Sequence, residues 1–292
     1  MKQHRFRKLR TLLLLGTTLL LGGCGKQWIL LHPAGPIAAH EKNLILTAWW
    51  LMVLVALPVF VLTIWFAWHY RASNKKANYQ PNWDFSWSVD ALIWVLPLVG
   101  VAILAFLCWT STQSLAPYKP IASKKAPVEV DVVAFDWKWL FIYPKQHIAT
   151  VNQLVIPVGH PINFKLTSDT VMTSFFIPEM GSQIYAMSGM RTRLNLIADK
   201  PGTYHGQNMQ FSGRGYADMN FKVLAKQDAG FQDWVASVQK SDKKFDMTAL
   251  AQLQKRTIAN PVAHYGSVKP QMFQTILDQY RYSHHDGNRP GA

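Results

Sequence analysis

The sequence predicts an α-helical hairpin that crosses a membrane twice, then an all-β domain of sandwich or Greek-key barrel type, then a short helical tail. Three features carry that reading. Two apolar runs, residues 44–70 and 89–110, hold a single formally charged side chain between them, Asp90. From residue 127 the pattern changes to short alternating segments rich in Val, Trp and Phe. Beyond residue 226 it changes again, to apolar positions three and four apart. The 292 residues leave room for about two domains. Charged residues make up only 16% of the chain and the apolar ones cluster at the front, which sets it apart from a soluble protein.

Residues 1–23 read as an export signal. Lys2, Arg5, Arg7, Lys8 and Arg10 form a basic start, and the TLLLLGTTLLL that follows is too short to cross ~30 Å of hydrocarbon. Leu21-Gly22-Gly23-Cys24 has the small residues before a cysteine that resemble a bacterial lipobox. On that reading Cys24 is lipidated and opens the mature chain. An ordinary signal with a chance cysteine is the plainer alternative, and the position of the apolar stretch favours lipidation. Residues 24–43 are then a lipid-anchored N-terminus outside the cell membrane. Removing the five basic residues of the signal lowers the formal charge from +14 to about +9. The rest are scattered with no run of five like charges, so nucleic acid is not an expected partner. Cys24 and Cys108 are the only cysteines, and a disulfide between a signal cleavage point and a hydrophobic run is not expected.

Residues 44–70 form the first membrane helix, with Trp49, Trp50, Trp65, Trp68 and Tyr70 near its ends as interfacial aromatics and Pro58 as an expected kink. Arg71, Lys75 and Lys76 follow at once and assign that end to the cytoplasm. Residues 71–88 are then a cytoplasmic loop. Residues 89–110 return the chain as the second helix, with Pro97 inside it. Residues 111–126, STQSLAPYKPIASKKA, read as a linker.

Residues 127–225 carry PVEVDVVAFDWKWLFIY, LVIPV, INFKLTS, RTRLNLIA and MNFKVLA, with turn signals such as Gly-His-Pro and Lys-Pro-Gly between them. In the tail, 226–292, Asp228 is placed to cap a helix whose Phe231, Trp234, Val235 and Val238 share a face. Met272, Phe273, Ile276, Leu277 and Tyr280 make a second such face. Both read as packing stripes.

The stretch most open to a chemical reading is His205–Lys222, HGQNMQFSGRGYADMNFK. Its spacing resembles the copper loop of subunit II of haem–copper respiratory oxidases, C-x-E-x-C-x3-H-x2-M. On that pattern Asn208 stands for the first cysteine, Gln210 for the glutamate, Ser212 for the second cysteine and Tyr216 for the histidine; only Met219 is kept. The family's other histidine falls at Thr173. A dicopper centre needs bridging thiolates, which serine and amides do not replace. His205, His147 and His160 have no spacing for a site, and Met172, Met180, Met187, Met190 and Met219 form no methionine repeat.

The resemblance extends over nearly the whole mature chain. LILTAWWLM, FAWHYRASNKKANYQPNW, VDALIWVLP, VVAFDWKWLFIYP, SFFIPEMGSQIYAMSGM and LIADKPGTYHG are similar, in order, to subunit II of bacterial ubiquinol oxidases of the cytochrome bo(3) type. That resemblance implies a cupredoxin-like domain on the periplasmic face of the inner membrane, in a complex with subunits I, III and IV. It further implies that subunit I holds the haems and copper, oxidises ubiquinol, reduces dioxygen to water and moves protons, while this chain binds no cofactor. Asp136-Trp137-Lys138-Trp139 corresponds to the family's tryptophan-rich stretch and reads here as strand core. Asp90 has two open readings: an acid at a helix start favoured by the helix dipole, or, by resemblance, the proton-entry carboxylate of the channel called K, one methylene shorter than the usual glutamate. Two alternatives to a copper-free quinol oxidase subunit remain: a copper-containing cytochrome c oxidase subunit II, and a stand-alone cupredoxin-like membrane lipoprotein.

Overall fold

The computed structural model describes residues 28–78, 80 and 82–283. The expected export signal, Cys24 and the end of the tail lie outside the described residues. Two long helices come first, α1 (Pro36–His69) and α2 (Trp87–Ser114). At 1.5 Å per residue both exceed ~30 Å of hydrocarbon. No part of their apolar windows is buried within the chain. Leu54, Ile64 and Trp94 are among the large side chains left to face lipid or another subunit. Pro58 and Pro97 lie inside the two helices. α1 ends where Arg71 turns back: one guanidinium NH donates to Trp68 O at 3.0 Å while the group lies over the Trp68 ring at 4.9 Å.

α1 begins eight residues before the apolar run, because its first turns belong to the β-domain. Pro36 occupies the first turn, where its missing N–H costs nothing. Ala34 is threaded between two loops, its N–H donating to Glu179 O and its carbonyl accepting from Asp199. Glu41 reaches the same place and accepts from Ser182 N (2.9 Å) and Ser182 Oγ (3.2 Å). A Cβ on Gly35 or Gly181 would overlap backbone or side-chain atoms at this joint.

Among the described residues thirteen strands follow. β1 (Val128–Phe135), β2 (Lys138–Tyr143), β3 (Ile148–Val151), β4 (Gln153–Pro157), β5 (Pro161–Ser168), β6 (Thr173–Phe176), β7 (Gln183–Ala186), β8 (Thr192–Ile197), β9 (Gly202–Asn208) and β10 (Asn220–Lys226) precede α3 (Asp228–Gln239). After it come β11 (Lys244–Phe245), α4 (Met247–Leu253), β12 (Ala263–Tyr265), β13 (Ser267–Val268) and α5 (Met272–Ser283). The main sheets run β12-β3-β2-β1-β5-β8 and β4-β10-β9-β6-β7, a two-sheet cupredoxin-like sandwich. β1 pairs antiparallel with β2 and parallel with β5, and β10 pairs parallel with β4.

The alternation of β1 fills two cores. Val130, Val132 and Ala134 point between the sheets, with Trp139, Phe141, Phe175 and Phe221. Val133 and Phe135 point the other way and are covered by Leu250, Met272, Phe273 and Ile276 of the tail. Both faces are buried, so VVAF reads as a continuous apolar run. The α3 stripe Phe231, Trp234, Val235 and Val238 is buried in the inter-sheet core. Asp228 does not cap α3, whose N-cap is Gln227 without a side-chain bond. Its carboxylate is drawn instead to Lys125 Nζ at 2.8 Å and His160 Nε2 at 3.2 Å. That pair and the Asn195 contacts to Pro117 O and Lys119 O tie the 111–126 segment to the β-domain.

One buried carboxylate marks where the tail closes over β1. Asp131 is 8% exposed, and one of its oxygens has no hydrogen-bond partner among the described residues. It borders a cavity of about 210 Å³ with His147 and the start of α5. Burial pushes its carboxyl from 3.8 up to about 6, against the pull of Lys165. Folding therefore favours the neutral acid. The contribution of Asp131 to stability is full below pH 4, falls as the unfolded chain ionises between pH 4 and 6, and stays lost above pH 6. Asp131→Asn is expected to be more stable than the parent at pH 8, by up to ~3 kcal/mol, and nearly equal to it at pH 4. Thermal melts at both pH values check this; an equal difference at the two would refute it.

Candidate functional site

The loop after β9 turns over a side chain that binds itself to four partners. Asn208 is 4% exposed at the end of β9, opposite Phe175 of β6. Its Oδ1 accepts from Ser174 N and from Gln210 N, both at 2.9 Å. Its Nδ2 donates to Ser212 Oγ at 3.1 Å and to Met219 Sδ at 3.4 Å. A carboxamide has two donor hydrogens and one doubly accepting oxygen, and all are used here. Two strands, the loop and the start of β10 are joined by this one amide.

The six positions aligned with copper ligands do not all converge. Asn208, Ser212 and Met219 meet directly, and Met219 is 1% exposed. Gln210 contributes its backbone N–H to Asn208. Thr173 is buried on β6 with Oγ1 unpartnered among the described residues. Tyr216 opens the short 3-10 turn Tyr216–Asp218 and packs against Phe211, ring centroids 5.8 Å apart. The donors are therefore a hydroxyl, an amide already saturated by four bonds and one thioether. This set does not fit a dicopper centre, which needs anionic sulfur to share two ions. The unpartnered Thr173 Oγ1 adds only a neutral hydroxyl.

Trp137 covers the loop. It lies in the β1–β2 turn at φ 65, and its Nε1 donates to Ser212 O at 3.0 Å. Gly213 needs its glycine for φ 99, whereas Gly215 needs it for space, since a Cβ would enter the Trp137 ring. Trp139, two residues on, points into the core between Phe175 and Phe221, at 5.4 and 5.6 Å. The tryptophan-rich stretch is thus split, one ring in the core and one over the loop.

The tail grips the same turn through charged groups. Arg256 Nε donates to Asp136 Oδ2 at 2.7 Å. Lys138, 1% exposed, donates from Nζ to Lys255 O at 2.7 Å and to Thr257 Oγ1 at 2.5 Å. Burial holds its amine below the ordinary lysine range, with Asp136 and Asp169 pulling it back. Asp169 is raised by burial to about 6 and accepts from Gln254 Nε2 at 3.0 Å. On sequence Lys138 reads as strand core only as one of the four residues Asp136–Trp139, with no sign of the carbonyl and hydroxyl that receive its buried amine.

The three histidines stand apart. His205 is largely exposed, with Glu179 at 3.7 Å; His160 is held by Ala126 O and Asp228; His147 lies in a left-handed turn at φ 58. Asp90 stands in the first turn of α2, half-exposed, its N–H donating to Ser86 O.

Comparison with known proteins gives two family matches. Residues 127–225 match the cytochrome c oxidase subunit II periplasmic domain, and residues 239–284 match the oxidase aromatic-rich motif. The chain is 47% identical to cytochrome bo(3) ubiquinol oxidase subunit 2 of Pseudomonas putida, over 96% of this chain and 88% of that one. It is 45% identical to the subunit of the same name in Pseudomonas aeruginosa, over 95% and 82%. It is also 45% identical to ubiquinol oxidase subunit 2 of Acetobacter aceti, over 91% and 86%.

The four bonds of Asn208 give a direct test. Asn208→Ala strips the acceptor from the buried Ser174 N–H and the half-buried Gln210 N–H, and a stranded buried group costs about 1–3 kcal/mol. The variant is expected to melt at clearly lower temperature and to be cut by protease within 209–216. Parent-like melting and cleavage would mean that the amide does not hold the loop.

Proposed function

The chain belongs to the family of ubiquinol oxidase subunit II, and on that premise we propose that it is the copper-free scaffold of a proton-translocating quinol oxidase. It is a subunit of an oxidoreductase complex, and its partners are other oxidase subunits. In the proposed complex, subunit I carries the haems and copper, takes electrons from ubiquinol in the membrane and reduces dioxygen to water. Subunits III and IV complete the assembly in the bacterial inner membrane. This chain binds no cofactor of its own.

The observation that carries this reading is the Asn208 amide, fully bonded where the copper-loop pattern has its first cysteine. One-electron delivery from a soluble cytochrome needs a relay centre in this domain. A lipid-soluble two-electron donor that reaches subunit I through the bilayer needs none. The same family membership sets aside a stand-alone lipoprotein.

Two further assignments extend the proposal. Cys24 carries a lipid that anchors the mature N-terminus on the periplasmic side, supported by the Leu21-Gly22-Gly23-Cys24 motif. Asp90 takes up protons from the cytoplasmic side, supported by its position on the first turn of α2, directly after the loop holding Arg71, Lys75 and Lys76.

The purified complex is expected to oxidise ubiquinol without a mixed-valence dicopper signal in electron paramagnetic resonance. Such a signal, lost in Met219→Leu, would overturn the copper-free reading. Asp90→Ala is expected to slow proton uptake and turnover together, and Asp90→Glu to preserve both. Unchanged turnover in Asp90→Ala would remove Asp90 from the proton path.

A further inference from the structure

Where the hairpin meets the β-domain, an open cleft of about 780 Å³ lies between the 111–126 segment, β8 and α5. Arg191, Arg193 and Tyr118 line it, together with Met190 and Leu277. Lys165 of β5 stands directly opposite Arg193, a like-charge pair that destabilises the sheet unless one member is neutralised. Glu129 takes Lys165 at 3.0 Å and leaves Arg193 without an ion pair among the described residues. Arg191 donates from Nη2 to Gln274 Oε1 at 2.6 Å and lies over the Phe273 ring at 5.8 Å. Those contacts fix the guanidinium in place without cancelling its charge. Asp278 accepts from the Gln274 amide at 2.7 Å, and Asp131 feels the Arg191 charge from beneath the tail. Neither acid is ion-paired with an arginine among the described residues.

Three contacts set the height of this cleft against the membrane. Gly35, just before α1, packs against the carbonyl of Ile197 at the end of β8. The apolar run of α1 begins at Leu44, ~14 Å further along the helix. Two residues back along β8, Asn195 donates from N to Pro117 O at 2.9 Å and from Nδ2 to Lys119 O at 3.1 Å. Pro117 in turn lines the groove between the membrane helices together with Leu44. Followed back from Ile197 towards Arg193, β8 therefore descends to the level where the hydrocarbon begins. Tyr118, between the two residues that Asn195 holds, is 66% exposed, and Met190 is 54% exposed. Apolar side chains beside uncancelled guanidinium groups at that depth match the headgroup layer, where phosphate meets acyl chain.

We propose that this cleft binds the phosphate of an anionic membrane phospholipid. Arg191 and Arg193 hold the phosphate oxygens, and Tyr118 and Met190 lie against the glyceryl group and the first acyl carbons. A guanidinium offers two parallel N–H donors to one phosphate, a match that a lysine ammonium does not make. Bound there, one lipid touches the linker, the edge strand β8 and α5 together. The proposal requires only that the hairpin spans a bilayer, and is indifferent to copper and to Cys24.

The test adds phosphatidylglycerol or phosphatidylcholine to the delipidated complex in neutral detergent and counts bound lipids by native mass spectrometry. The parent is expected to hold one phosphatidylglycerol at least ~10-fold more tightly than Arg191→Gln/Arg193→Gln, with no such difference for phosphatidylcholine. Lys240→Gln/Lys243→Gln removes two exposed charges elsewhere and should hold lipid like the parent. Arg193→Gln alone leaves Arg191 on Gln274 and should already weaken binding, so undocking of α5 in the double variant does not decide the result. Diazirine-bearing phosphatidylglycerol is expected to label peptides containing 117–119 or 190–193. Label confined to other peptides overturns the proposal. Equal binding in the parent and both arginine variants overturns it as well, and loss of a neighbouring subunit from those variants would then assign the cleft to a protein. Equal weakening in the lysine variant overturns it as attraction of charge without a site. Displacement of the lipid by inorganic phosphate at equal concentration overturns the lipid assignment and leaves a site for a free anion.

Discussion

The fold depends on burying one sheet on both of its faces. β1 and β2 lie at the centre of the six-stranded sheet, with the inter-sheet core on one side and the tail helices on the other. A sandwich sheet normally leaves its outer face to water and can then carry polar residues there. Here Val133, Phe135, Leu140 and Ile142 occupy that outer face, and the tail must cover them. The tail is therefore part of the domain's core: the α5 stripe of Met272, Phe273 and Ile276 covers this outer face, while the α3 stripe joins the inter-sheet core. The same closure leaves Asp131 and Lys138 in low-polarity surroundings, where their charges are disfavoured.

The loop after β9 takes its shape from hydrogen bonds and one aromatic lid. A metal centre organises such a loop by drawing ligands from several segments to one point. Asn208 does this with a neutral amide, joining Ser174, Gln210, Ser212 and Met219. Trp137 closes the outside, which is possible because Gly215 leaves its ring room. The tail reaches this lid through Arg256 on Asp136 and through the buried amine of Lys138. Loop, lid and tail form one connected unit. At its centre stand an amide, a hydroxyl and a thioether, from Asn208, Ser212 and Met219.

The hairpin is joined to this unit by shape and by a carboxylate. Ala34 is hydrogen-bonded between two loops, Gly35 sits where a Cβ would overlap Ile197 O, and Glu41 grips Ser182 from the first turns of α1. The 111–126 segment is held from the other side by Lys125 with Asp228 and by Asn195. Both chain crossings between helices and β-domain are thus fixed by bonds, a suitable arrangement for a domain that must sit in register with other subunits.

The sequence by itself determined the class of each part, because each rests on local periodicity. Apolar runs long enough for the bilayer, with Asp90 the one charge in them, mark α1 and α2; alternating Val and aromatics mark the strands, and the stripe from Phe231 to Val238 marks α3. The sequence also places Asn208 and Ser212 where the copper-loop pattern has its two cysteines. Only the tertiary structure decided which polar groups meet. Asp228 read as a helix cap but was claimed by Lys125, a hundred residues away in the chain. Tyr216, aligned with a ligand, went to Phe211, while Trp137, read as strand core, became the lid. Lys138 was buried by a tail more than a hundred residues downstream. Periodicity reports which face of an element is apolar. It is silent on what lies across from that face, and the partners of a polar side chain are set by that distant surface.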